Sequence, residues 1–553
     1  MRLLPRFDGK TQGSIRWYLD VGKGRQARLL LGDLLAHNAR IHSGRTAFSS
    51  DGQEISYGRL AADVGRTAGA LRGLGVRRGD RVAILSRSSL AYVELLFAVP
   101  RAGAVFVPLN PLLIARELGE ILARSGTRFL LFAPEFEERV NDLRASHPGE
   151  IGLHCLGSSR GGYPLFPGDP GPPRAAPDPE PAPSDREVAL QVYTGGSTGR
   201  PSGAMLSHRN LLSAAASAAL ELRLSRNDIF LSCTPLAFIA GSGRLLRFLY
   251  AGATILLLHD FDPDEVLRTI ERRKATHVLF TPDMMARILS LPSADRYNLS
   301  TLRTVVYGGG SIPLDLLRRA IRFFRCGMVQ SHGQVESAGV LTFLHPEDHS
   351  LDESVPYMRK LTSVGKEAVG VELRVVDGEG RPVGPDQVGE VVARGENIFQ
   401  GYFEDPASTD DVLRNGWLHT GDVASVDEDG YLYILDRMRD TLMVGGFSVY
   451  PREIESVLAE HPDVAEAAVV GRPDYALGEI PVAFVSLREG ARSGPEDLLA
   501  HCRKNLAPFK TPREISFAAK LPRNSAGKIL KAKLREGALA RRGYSPNTSA
   551  VKE

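Results

Sequence analysis

Short continuous apolar runs alternate along this chain with segments whose apolar positions recur every three to four residues. "RVAIL" (81–85), "ATILLL" (253–258), "THVLF" (276–280) and "RTVVY" (303–307) have strand length and β-branched content, and they predict buried strands. "SYGRLAADVGRTAGALRGL" (56–74) and "LDLLRRAIRFF" (314–324) collect their apolar residues on one face and predict amphipathic helices. The alternation predicts layered α/β structure around parallel sheet. The longest apolar stretch, "AYVELLFAVPRAGAVFVPL", is broken by Glu94, Pro100 and Arg101, so it predicts no membrane span.

The pattern changes after about residue 371. "VELRVVD" and "GEVVARG" predict strands of a smaller β-rich subdomain, about 371–436. From 440 on, "VYPREIESVLAEHP", "AEAAVVG" and "PVAFVSL" predict a compact α+β unit. "GDPGPPRAAPDPEPAPSDRE" (168–187) is Pro-rich without apolar periodicity and predicts a surface linker, poorly ordered, inside the large domain.

With 553 residues the chain is too long for one core, so at least two domains are expected. Lys and Arg number 68 against 65 Asp and Glu, a balance that predicts neither a nucleic-acid nor an anionic-membrane partner. Cys155, Cys233, Cys326 and Cys502 are too scattered for a metal motif and predict core thiols in a reducing compartment. "MRLLPRFDGK" has no apolar signal region, and a cytoplasmic protein is expected.

Candidate chemistry starts at "YTGGSTGRPSGAMLSHRN" (193–210). Gly196 and Gly199 around Ser197 and Thr198 suit a loop whose backbone N–H groups converge on phosphate oxygens, with hydroxyls as further donors or a Mg²⁺ contact. A flexible Gly/Ser turn is the bland alternative, at even odds for the glycines alone. The stretch does not match the Walker pattern, and Ser202 stands where a phosphate-gripping lysine is expected. Arg200, His208 and Arg209 are its basic residues.

This stretch resembles the signature loop of the adenylate-forming superfamily of acyl-CoA synthetases, luciferase and peptide-synthetase adenylation domains. "NGWLHTGDVASVDEDGYLYILDRMRD" (415–440), "MVGGFSVYPREIE" (443–455) and "LPRNSAGKILKAKLR" (521–535) resemble its later motifs in the same order. The resemblance implies a large N-terminal domain (1–436) and a small mobile C-terminal domain (437–553) that turns about a hinge at 437–440, with Arg439 at the hinge position. It implies adenylation of an acid with ATP and Mg²⁺, then transfer, most often to CoA.

The resemblance also assigns residues. Asp422 and Arg437 hold the ribose, with Ile434 close by; Lys528 bridges the acid and the α-phosphate. Thr194, Gly196, Ser197, Thr198, Gly199 and Arg200 cradle phosphates. Gly309, Gly310 and Ser311, with His332, Gly333, Gln334 and Val335, face the nucleotide. Glu336 and Thr198 are the Mg²⁺ candidates, and Glu336 shares the catalytic role with Lys528. Ala237, Phe238, Gly241, Gly308 and Ser331 line the acid pocket. Gly445 and Gly446 line the thiol tunnel, where glycine permits close approach of a pantetheine arm.

Taken singly, Asp422 reads as a turn cap, Arg437 as a surface ion pair, Glu336 as an exposed glutamate and Lys528 as a solvated loop lysine. The chain also departs from the family pattern. His332 replaces an aromatic residue but can still stack on adenine; Val335 replaces a threonine and cannot donate a hydroxyl; Phe238 replaces a histidine, as apolar pocket wall or plain core. These departures keep two rivals open: an adenylating enzyme with another acceptor or acid (carrier protein, amine or nitrite), and a weakly active nucleotide-binding relative.

Overall fold

The computed structural model describes residues 29–146, 151–157, 159, 161–166, 183–195, 201–310, 312–351, 359–437, 440–444, 447–474, 477–506, 508–523 and 529–540. The expected strands form at Arg81–Leu85, Thr254–Leu257, His277–Phe280 and Thr304–Gly308, and the expected helices at Tyr57–Gly73 and Leu314–Phe324. Ser56 caps the first of these helices by accepting a hydrogen bond from the Arg59 N–H, and the helix buries Tyr57, Leu60, Val64 and Leu71. The interrupted apolar run divides into the helix Leu90–Arg101 and the strand Val105–Leu109. No helix among the described residues is long and apolar enough to cross a membrane.

Two large sheets dominate the N-terminal part, and both are mixed rather than purely parallel. A six-stranded sheet runs Gly152–Cys155, Thr127–Phe132, Arg81–Leu85, Val105–Leu109, Val188–Gly195, Pro201–Ser207, and its last pair is antiparallel. A nine-stranded sheet runs Lys366–Glu367, Thr342–Leu344, Gly327–His332, Thr304–Gly308, His277–Phe280, Ile229–Ser232, Thr254–Leu257, Thr46–Ser50, Gln53–Ser56. Its interior pairs are parallel and its edges antiparallel. Helical crossovers build the interior, whereas the short returns from Thr46–Ser50 to Gln53–Ser56 and from Gly327–His332 to Thr342–Leu344 permit only antiparallel pairing. The main core joins both sheets (Ile84, Phe106 and Leu190 with Phe48, Ile255 and Val306) through helix residues such as Leu96, Leu212 and Leu245.

The β-rich segment is a five-stranded antiparallel sheet containing Val371–Val376, Val388–Gly395, Trp417–Val426 and Leu432–Arg437. The last part of the chain has its own sheet, in which Val464–Asp474 pairs Gly478–Leu487 along its length. Helices Pro451–Ala459 and Pro495–Asn505 cover it through Ile454, Leu458 and Leu498.

Most of the Pro-rich linker lies outside the described residues, but its end departs from the disorder expected there. Residues 183–187 are tied down: the Asp185 carbonyl accepts from the Arg209 N–H at 2.7 Å, and Glu187 pairs with Arg78 at 2.8 Å.

His208 opens the helix His208–Glu221 and is buried. Its Nδ1 accepts the Leu31 N–H at 3.2 Å, so that nitrogen carries no proton. Burial pushes its pKa down to about 4, against a weaker opposing pull from Glu187 and Asp185. The folded chain therefore binds fewer protons here than the unfolded chain between about pH 6.5 and 4. The associated stability is full above that window and is lost as pH falls through it. His208→Gln should reduce the stability lost between pH 7.5 and 5 by roughly 1–2 kcal/mol, read from denaturant midpoints. An unchanged pH dependence would assign the acid sensitivity elsewhere.

Candidate functional site

The nine-stranded sheet brings the carboxyl ends of its parallel strands together, where open α/β sheets bind ligands. Thr304–Gly308 ends at Gly308, followed by Gly309 with φ +82° and Gly310. Beside it, Gly327–His332 ends in Ser331 and His332, with Gly308 and Ser331 in register. Backbones crowd here: a Cβ on Gly308 would collide with the Ser331 carbonyl, and one on Gly333 would stand 2.6 Å from the Gly339 carbonyl carbon. Ser331 Oγ is buried and has no hydrogen-bond partner among the described residues.

The β-rich sheet supplies the facing carboxylate. Asp422, 2% exposed, lies in the strand Trp417–Val426 directly opposite Arg437 in register. The Thr420 hydroxyl accepts the Asp422 N–H at 3.1 Å and donates to the Val391 carbonyl at 2.8 Å, which fixes this turn of chain. His332 Nε2 stands 3.3 Å from Asp422 Oδ2. The histidine expected on the nucleotide side and the carboxylate expected on the ribose side are thus neighbours, a pairing that sequence order does not reveal. Ile434 is partly buried and packs on the apolar core of the β-rich sheet with Ala424 and Leu432.

Glu336 sits in the turn Val335–Ser337, and Gln334 precedes it. Its Oε1 accepts the Tyr402 hydroxyl at 2.7 Å, and its carbonyl accepts the Phe399 N–H at 2.8 Å. Asn397 is buried and donates to the Ser337 and Val340 carbonyls at 3.1 and 2.7 Å, clamping the segment after Glu336. Val335 packs against the main core. Among the described residues no cluster of three or more His, Cys, Asp or Glu is arranged to hold a metal. One carboxylate at Glu336 fits Mg²⁺, which takes one or two protein oxygens and completes its shell with phosphates and water.

Ala237 and Phe238 lead into the helix Ile239–Tyr250, with Phe238 at its N-cap and Gly241 buried in its first turn. The described parts of the quoted stretch are paired strands rather than loop: Val188–Gly195 pairs Pro201–Ser207 antiparallel, with Thr194 opposite Ser202. Two basic residues of that stretch are committed elsewhere. Arg209 pairs with Asp185 at 2.7 Å and Glu396 at 3.3 Å, and His208 is held neutral. Neither is placed to supply the charge that Ser202 lacks, and Arg200, on which that expectation rests, lies outside the described residues. Ser202→Lys should lower the KM for ATP in an adenylation assay and make Arg200→Ala less damaging. Strictly additive effects would show that the two positions share no role.

Gly196, Ser197, Thr198, Gly199, Arg200, Ser311, Arg439, Gly445, Gly446 and Lys528 lie outside the described residues, as do the side chains of Thr194 and Arg437. The sequence analysis missed Asn397, Tyr402, Asp436 and Arg452. The Arg452 N–H donates to Asp436 Oδ2 at 2.9 Å. Burial lowers the pKa of the Arg452 side chain, and the carboxylates of Asp436, Glu455 and Asp422 oppose that effect. A cation of the C-terminal part thus lies within the field of Asp422. "DRMRD" and "YPREIE" contain these residues, but only their packing shows the meeting.

Comparison with known proteins gives the family. The AMP-binding enzyme family model matches residues 35–403, and the AMP-binding enzyme C-terminal domain matches 453–528. The chain is 38% identical over 509 residues to a feruloyl-CoA synthase of an Amycolatopsis species, covering 91% of this chain and 98% of that one. It is 34% identical over 505 residues to a 2-succinylbenzoate–CoA ligase of Geobacillus kaustophilus, covering 91% and 96%. The solved structure of an amide bond synthetase from Marinactinospora thermotolerans matches with a TM-score of 0.81 at 32% identity, covering 91% and 99%. With one family model spanning most of its length and its companion spanning the C-terminal part, the chain belongs to the AMP-binding enzymes.

Proposed function

We propose that the protein is an AMP-forming acid–CoA ligase. A carboxylate oxygen of the acid attacks the α-phosphorus of ATP, and the bond to pyrophosphate breaks. The CoA thiol then attacks the acyl carbon of the adenylate, and AMP leaves. The observation that carries this reading is the meeting of His332, at the end of a parallel strand, with buried Asp422 of the β-rich sheet. A nucleoside needs an aromatic face for its base and a carboxylate for its ribose hydroxyls, and these two side chains supply both.

Asp422 and Arg437 would bind the ribose, and Glu336 and Thr198 would hold Mg²⁺. Bound Mg²⁺ offsets phosphate charge as pyrophosphate departs. Lys528 would stabilise the charge developing between acid and α-phosphate, held in place by closure of the C-terminal domain. Rotation about 437–440 would then bring Gly445 and Gly446 to the thiol. ATP–pyrophosphate exchange over a panel of acids, with product analysis with and without CoA, tests the reading. Exchange together with CoA-dependent release of AMP and a thioester is expected; no exchange with any acid would overturn it.

A second acceptor chemistry has its own support. The structural likeness to an amide bond synthetase, together with Phe238 in place of a histidine, favours transfer to an amine. Adenylate formation with an amide, and no thioester, would establish it.

A further inference from the structure

Two arginines lie inside the protein next to the predicted acid pocket, and no carboxylate among the described residues pairs with either. Arg244 and Arg247 sit on the helix Ile239–Tyr250, 7% and 2% exposed. Each guanidinium offers five N–H donors. Arg244 donates one hydrogen bond, Nη1 to the Ala240 carbonyl at 3.1 Å, and Arg247 one, Nη2 to the Gly339 carbonyl at 2.8 Å. Arg244 Nε and Arg247 Nη1 are buried without a partner among the described residues.

Buried charges are ordinarily paired, because an unpaired one forfeits its hydration without compensation. Here two like charges share one site. Burial, with the neighbouring Arg247, pushes the pKa of Arg244 down, and burial brings that of Arg247 to about 10. Arg247 is therefore still a cation at neutral pH.

Their contacts place them. A long helical side chain leans toward the helix N-terminus. The Arg244 bond to Ala240 accordingly brings its guanidinium back over the first turn, two residues past Phe238. The Cys233 thiol, at the end of the strand Ile229–Ser232, lies within its field. Arg247 reaches Gly339, three residues after Glu336 on the segment that follows His332. Arg244 thus lies over the helix start that carries Phe238 and Gly241 of the predicted acid pocket, and Arg247 ties the same helix to the segment that follows Ser331 and His332.

We infer that the acid this protein activates carries a second anionic group, a carboxylate at the end remote from the reacting one, and that Arg244 and Arg247 receive it. The inference rests on the acid-activating reading above and names its substrate class. A planar guanidinium fork binds carboxylate through two parallel hydrogen bonds, and a desolvated site strengthens them. A mono-acid of the same shape would leave both charges unanswered, so discrimination should be large.

The test compares matched acids on the full-length protein: glutarate with pentanoate, terephthalate with 4-methylbenzoate, and 4-carboxycinnamate with cinnamate. ATP–pyrophosphate exchange gives kcat/KM for each, and thermal shift gives binding. At least one di-acid should exceed its mono-acid tenfold or more in the wild type. Arg244→Met and Arg247→Met should each cut that ratio at least tenfold, with Arg244→Lys intermediate. A ratio compares two acids on the same variant, so a general loss of folded protein cancels.

Mono-acids that match or beat their di-acids, or a ratio unchanged in both methionine variants, would overturn the inference while the acid-activating reading stands. No exchange with any acid, but di-acid stabilisation that disappears in the methionine variants, would retain the anion site and reject that reading. Neither exchange nor stabilisation with any di-acid overturns the inference.

Discussion

Lys528→Ala should abolish adenylate formation and spare the transfer of acyl groups from a supplied acyl-adenylate. Charge builds between the acid oxygen and the α-phosphate only in the first half-reaction, and a lysine ammonium held there stabilises the transition state more than the bound substrates. Removal of one preorganised electrostatic donor costs on the order of 10²–10³ in rate. Pyrophosphate exchange should fall by that factor, while thioester formation from chemically prepared adenylate should proceed at a rate close to wild type. The split between half-reactions is the discriminating result, since misfolding would depress both. Exchange at the wild-type rate would remove Lys528 from the mechanism.

Asp422→Ala should weaken nucleotide binding by tenfold or more. Asp422 is buried, its backbone is fixed by Thr420, and His332 stands 3.3 Å away. A hydrogen bond to a charged acceptor is worth roughly 1.5–3 kcal/mol, which corresponds to about a tenfold to hundredfold rise in Kd. Calorimetry with ATP and with 2′,3′-dideoxy-ATP separates the possible causes. The variant and wild type should bind the dideoxy nucleotide with similar affinity, because both then lack the ribose contact. A loss that persists with the dideoxy nucleotide would mean that Asp422 acts through His332 or through folding instead.

The legible parts of the fold were those governed by local pattern. The apolar run of "RTVVY" and the one-faced pattern of "LDLLRRAIRFF" became Thr304–Gly308 and Leu314–Phe324 because burial selects period and length directly. The edges of the sheets were not legible. The stretch 193–210 was read as one loop, yet its second half is the strand Pro201–Ser207, paired back on Val188–Gly195. Ser202 and Gly203 are compatible with loop and strand alike, and the partner strand decided. The states of Arg209 and His208 were not legible for a related reason: charge on a sequence says nothing of the carboxylates that neutralise it or the burial that removes it.

The sequence by itself determined the family, the order of motifs and the residue types that such chemistry requires, because these depend on side-chain identity and short spacing. Asp422 and Arg437 could be paired from motif resemblance alone, and the two strands place them opposite each other. Only the tertiary structure decided which distant groups meet. It set His332 beside Asp422, hung Glu336 on Tyr402, and buried Arg244 and Arg247 without a carboxylate among the described residues. The physical reason is that desolvation and pairing are properties of a three-dimensional neighbourhood. The same arginine is an ordinary surface charge in water and, once enclosed beside a pocket with its donors unmet, a demand for an anion.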